Sequence, residues 1–99
     1  MKGEKKPAKP VNELSYRVQI ATASKDIGIS SRRFSEFEDV KVYRHGGLFK
    51  YTVGDEPGLD AALLLLDRVR QKGVKDAFIV IFRNGERIPE SEAKRLIGR

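Results

Sequence analysis

Few side chains in this 99-residue chain have the types and spacing that chemistry demands. His45 is the only histidine and stands beside Gly46-Gly47, where a turn is expected. A metal ion or a general base needs partners converging on the ring, and none has recognisable spacing. The acidic pair Asp55-Glu56 sits where a helix begins, and the positive end of that helix accounts for both charges. Gly54, Gly58 and Gly73 lack the following lysine and hydroxyl of a phosphate-cradling loop. Cysteine is absent, which excludes disulfides and thiolate metal sites. No catalytic residue, metal or cofactor is expected. The residue that stands out is Gln19, an amide set inside the alternating run Tyr16-Arg17-Val18-Gln19-Ile20-Ala21.

That run predicts a first strand over Tyr16–Thr22. Ser30 or Ser31 then caps a short helix whose Phe34 and Phe37 share one side. Val40–Arg44 reads as a second strand, turned by Gly46-Gly47 into a third, Leu48–Val53. Pro57 suits the start of a second helix, with Leu59, Ala62, Leu63, Leu66 and Val69 as its apolar stripe and Gly73 as its stop. Ala77–Phe82 predicts a fourth strand. Asn84-Gly85 marks a tight turn into Glu86–Ile88, and Pro89-Glu90 opens a last helix packing Ala93, Leu96 and Ile97.

The expected fold class is α+β: a four-stranded antiparallel sheet with two helices on one face, in the order βαββαβ of ferredoxin- and RNP-like domains. A short C-terminal hairpin strand and helix follow. Phase places Val18, Ile20, Val40, Val42, Phe49, Tyr51 and Val53 toward the helices. Arg17, Gln19, Ala21, Lys41, Tyr43, Lys50 and Thr52 are expected to point away. In the fourth strand Phe78, Val80 and Phe82 are assigned inward, leaving Ile79 and Ile81 outward. The face opposite the helices is expected to be bare and to carry the function.

Composition bounds the partners. One compact domain fits the length and the 39% hydrophobic content. No apolar run approaches the ~20 residues of a membrane span. Residues 1–14 have the composition of a flexible basic linker, and 15–99 form the folded domain. Lys2, Lys5, Lys6 and Lys9 against Glu4 and Glu13 give that segment +2 of the net +6, so +4 belongs to the body. An anionic partner is expected. A monomer is expected as well.

The stretch Lys75-Asp76-Ala77-Phe78-Ile79-Val80-Ile81-Phe82 resembles the longer motif of RNA-recognition modules in its lysine, valine and last phenylalanine. It lacks the glycines and the central stacking aromatic, and no nucleic-acid partner is expected. Single-stranded RNA binding, or protein interaction through a ferredoxin-like domain, is the alternative function.

Three segments together carry a further likeness: Tyr16-Arg17-Val18-Gln19-Ile20, Gly47-Leu48-Phe49-Lys50-Tyr51-Thr52-Val53-Gly54-Asp55 and Gly73-Val74-Lys75-Asp76-Ala77-Phe78-Ile79-Val80. In order and spacing they resemble the SPOR (sporulation-related repeat) domain, in the form found in Bacteroidetes-type proteins. The likeness spans residues 15–88. It implies the βαββαβ fold and non-catalytic binding of peptidoglycan, particularly glycan strands stripped of stem peptides at the division septum. It also implies a periplasmic or cell-envelope location and a parent protein such as a cell-wall amidase. Gln19 matches the glutamine of the family's first-strand motif, and Thr22 a small hydroxyl position near that strand's end. Ala21-Thr22-Ala23 replaces a glycine common in the family, and the tryptophans of some members are absent, so Tyr43 is the substitute sugar-stacking candidate. On this reading Arg17 and Lys50 meet the lactyl carboxylates and amides of the glycan. Ile79, Ile81 and the Tyr43 ring lie against the sugar faces, with Thr52 on the same surface.

Overall fold

The computed structural model describes residues 14–97, with side chains through Ala93. Apart from Leu14, the expected linker lies outside the described residues, and so does the packing expected of Leu96 and Ile97. The described elements are β1 (Leu14–Ala23), a 3-10 turn (Arg32–Phe34), β2 (Val40–His45), β3 (Leu48–Glu56), α1 (Leu59–Gln71), β4 (Phe78–Arg83), β5 (Glu86–Ile88) and α2 (Glu90–Ile97). All five strands join one antiparallel sheet in the order β2-β3-β1-β4-β5.

This overturns the expected four-stranded βαββαβ unit. The sheet has five strands, and the first crossover holds one 3-10 turn where a helix was expected. Local chemistry explains the missing helix. The Asp26 carboxylate accepts from the Gly28 N–H at 2.9 Å, a bond that competes with helical pairing. Ser31 caps the turn by accepting from the Arg33 N–H at 3.2 Å, but Asp39 leaves the helical region at φ 59° soon after. The segment is held by tertiary contacts instead. Phe34 is buried with its ring 4.9 Å from that of Tyr51. The Tyr51 hydroxyl donates to Asp26 Oδ1 at 2.7 Å and accepts from the Ile27 N–H at 2.7 Å.

The core lies between α1 and the sheet. Val18, Val53, Leu66, Val69 and Ala77 form its buried centre, with Ile20, Phe37, Val40, Leu65, Val74 and Ile79 packed around it. Ala62, Leu66 and Val69 are the inward part of the α1 stripe, whereas Leu59 and Leu63 stand about half exposed. Asp60 occupies the first turn, where the helix dipole favours a carboxylate. At the other end Gly73 leaves the helix at φ 110° and sends the chain toward β4. Pairing of Val40 with Val53, Val53 with Val18, and Val18 with Ile79 runs one apolar row across four strands on the α1 side.

Candidate functional site

The same registers fix what the opposite face carries, because directly paired residues share a side. Lys41 pairs with Thr52, Thr52 with Gln19, and Gln19 with Phe78. Phe78, Val80 and Phe82 therefore lie on the face of Gln19, and Ile79 and Ile81 on the face of α1. The expected phase of β4 is reversed, and Ile79 and Ile81 leave the candidate site. Every residue in that strand up to Phe82 is apolar, so alternation alone contains no information about which set is inward. Pairing with Val18 decides it.

A second correction concerns the tail of β1. The β1–β3 register shifts between Gln19 and Ala21, since Gln19 faces Thr52 and Ala21 faces Tyr51. Such a bulge slips the alternation by one residue. Ala21 thereby joins buried Tyr51 on the core side, away from its expected position. Gln19 and Thr22 come together on the opposite face.

That face is not bare. Tyr43 on β2 and Phe82 on β4 meet edge to face, with ring centroids 5.1 Å apart. Two strands separate them in the sheet, a flat-sheet distance of about 14 Å at ~4.8 Å per strand. Only a strongly curled sheet brings them together, making this face concave. Within the curl Gln19, Thr52, Val80 and Phe82 are buried. Arg17 lies 4.0 Å over the Phe82 ring, and its Nε is 3.5 Å from Asp55 Oδ1. These engagements remove Arg17 from the free cations expected there. Lys50 lies beside His45, 3.3 Å from Nδ1. Thr52 is wholly enclosed and its hydroxyl has no partner, so it is not a ligand contact. Tyr43 is half-buried. Burial raises the pKa of its hydroxyl, opposed by the charges of Arg87 and Arg17.

A short polar relay crosses this concavity. The Tyr43 hydroxyl donates to Gln19 Oε1 at 2.9 Å, and Gln19 Nε2 donates to Thr22 Oγ1 at 3.0 Å. A donor at its oxygen and an acceptor at its nitrogen fix the orientation of the amide. Tyr43 is thus committed to Phe82 and Gln19, and its ring is not available as a stacking platform. Gln19 thereby holds the hydroxyl of the exposed Thr22.

The relay ends at a groove of about 470 Å³, lined by Gln19, Thr22, Arg33, Val74, Asp76 and Phe78 among others. Phe78 is 46% exposed at its wall, the first residue of β4, just where the chain from Gly73 turns into the sheet. An exposed phenyl ring, an exposed hydroxyl and a guanidinium converge there. Sequence reasoning missed Phe78 and Arg33. The phase of β4 concealed the first, and Arg33 sits in a crossover expected to be helical. Among the described residues, no cluster of histidine and carboxylate side chains is disposed to hold a metal ion. No described helix is long and apolar enough to cross a membrane.

No protein-family model, curated protein or solved structure matches this chain.

Proposed function

We propose that this domain binds, without catalysis, peptidoglycan glycan strands from which the stem peptides have been removed. Phe78 carries the reading: a half-exposed aromatic directly opposite a buried, oriented glutamine. Sugar rings have apolar C–H faces and polar rims. A phenyl platform beside a held hydroxyl offers complementary surfaces to both. Arg33, at the same groove, provides a charge-assisted partner for the lactyl carboxylate that peptide removal leaves free. An intact stem peptide occupies that carboxylate and adds bulk, so discrimination works by exclusion.

The likeness of the Gln19 strand and the two later segments to SPOR domains points to the same ligand. The five-stranded sheet departs from the fold that likeness implied, and the groove itself supports the reading. Electrostatics weighs against the other groove, whereas Arg33 and Asp76 balance at this one. A second groove, of about 440 Å³, is walled by Glu36, Glu38, Asp39, Asp55 and Glu56 with Arg68 and Lys72, and that acidic rim repels a polyanionic glycan. Contacts at an open groove are worth about 1 kcal/mol each, which makes a single domain a weak binder. Enrichment at a septum in the cell envelope then depends on many copies and on tethering.

Co-sedimentation with sacculi, before and after amidase digestion, tests this function. Retention only on digested sacculi is the expected result. Retention on neither, with capture of single-stranded RNA on a steep salt slope, would replace it with the nucleic-acid reading.

A further inference from the structure

The groove has a wall that is main chain rather than side chain. β1 runs to Ala23, but its pairing with β4 ends where Gln19 meets Phe78. Residues 21–23 are paired with β3 on one side only, and Ile20, at the bulge, stands in neither register. Where a longer β4 would have lain, the chain through Gly73, Val74 and Asp76 stands off and leaves the groove. Among the described residues no other hydrogen bond reaches the main chain of residues 20–23. A strand edge of this kind presents N–H and C=O groups outward, the usual template for an added strand.

We infer that this free edge of β1 recognises the acetamido groups of the glycan, so that the substrate class is β-1,4-linked 2-acetamido sugars and not β-1,4-glucans in general. The inference rests on the glycan reading above. An acetamido group is a secondary amide, with the donor and acceptor of a peptide unit, and it hydrogen-bonds a strand edge as another strand does. Phe78 at the start of β4 supplies the surface on which the ring lies, and Thr22 stands on the same face beside that edge. Plain glucans offer hydroxyls to the same ring platform but no amide to the edge.

The test is an amide-resolved NMR titration of the labelled protein with chitotetraose, cellotetraose and amidase-denuded glycan. Chitotetraose and cellotetraose share one neutral backbone and differ at the acetamido position. The expected result is binding of chitotetraose roughly tenfold tighter than cellotetraose, the loss of about one good hydrogen bond. The largest shifts should fall on the amides of residues 20–23. Equal binding of both tetraoses, or chitotetraose binding that leaves those amides unmoved, would overturn the edge assignment while the glycan reading stands. Denuded glycan bound while chitotetraose is ignored would overturn it too. Failure of denuded glycan itself to bind removes the underlying reading.

Discussion

Gln19 and Phe78 face one another across the β1–β4 ladder, the glutamine 5% exposed and the phenylalanine 46% exposed. The buried member is held by Tyr43 and holds Thr22, and the exposed member has its ring half in solvent. A hydrogen-bonded buried side chain and an exposed ring thus stand as neighbours on one face.

That arrangement makes Phe78→Ala a test of binding with little structural cost. A ring already half in solvent has little burial to lose, and stability should fall by no more than about 1–2 kcal/mol. Affinity for denuded glycan should fall about tenfold, measured by co-sedimentation against folded variant. Unchanged affinity in a folded variant would remove the stacking role.

Tyr43→Phe leaves Gln19 Oε1 buried without its donor. The expected cost is about 1–3 kcal/mol by chemical denaturation, with the Thr22 hydroxyl less well held. Weaker glycan binding should follow even though the Tyr43 ring surface is intact. If binding is retained in full, the relay has no part in positioning Thr22.

Ile79→Ala tests the reversed phase of β4. Ile79 packs against the Val18, Val53, Leu66 core, so its truncation should cost about 2–4 kcal/mol. Glycan affinity of the folded fraction should be unchanged. A stable variant with lost affinity would return Ile79 to the ligand face.

Gly54 stands at φ 80° beside the register shift of β3, and a Cβ there would collide with the Leu65 side chain. Gly54→Ala is expected to cost about 1–3 kcal/mol, read as a lowered denaturation midpoint. Full retention of stability would mean that β3 relaxes around the added methyl.

The Tyr51–Asp26 pair gives the domain a two-sided pH dependence. The Tyr51 hydroxyl, and then the Gly28 N–H, hold the Asp26 carboxyl below its ordinary value. Its contribution is complete above the unfolded value of about 4 and disappears as pH falls through the lower folded value. Burial, then the Asp26 hydrogen bond, raises the Tyr51 hydroxyl. That contribution is complete below about pH 10 and is lost as pH rises through the higher folded value. Denaturation midpoints against pH should therefore drop at both extremes. Tyr51→Phe should remove the alkaline limb and shrink the acid one, and a variant keeping both limbs would exclude the pair as their source.

How much of this was legible in the sequence depended on asymmetry in the residues. Alternation of polar and apolar side chains marked β1, β2 and β3, and the leucine-rich stripe with its acidic start marked α1. The 3-10 turn was hidden because Ser31 and two phenylalanines three apart are equally good signals for a helix. What decided otherwise were nonlocal partners, Tyr51 for Phe34 and for Asp26. The phase of β4 was hidden because both of its faces are apolar. The bulge after Gln19 left no local mark, yet it brings Thr22 onto the face of Gln19 and turns Ala21 away. Curvature was the largest omission. A face expected to lie open closes around Phe82, and only its end remains available.

The most direct test of the central claim is a chemical-shift map of the labelled domain titrated with amidase-denuded glycan. Shifts clustered at Gln19, Thr22, Arg33 and Phe78, saturating with ligand and absent with undigested strands, are predicted. Shifts clustered instead in the apolar groove of Tyr16, Leu59, Ile81, Ile88 and Ala93, or no shifts at all, would contradict it.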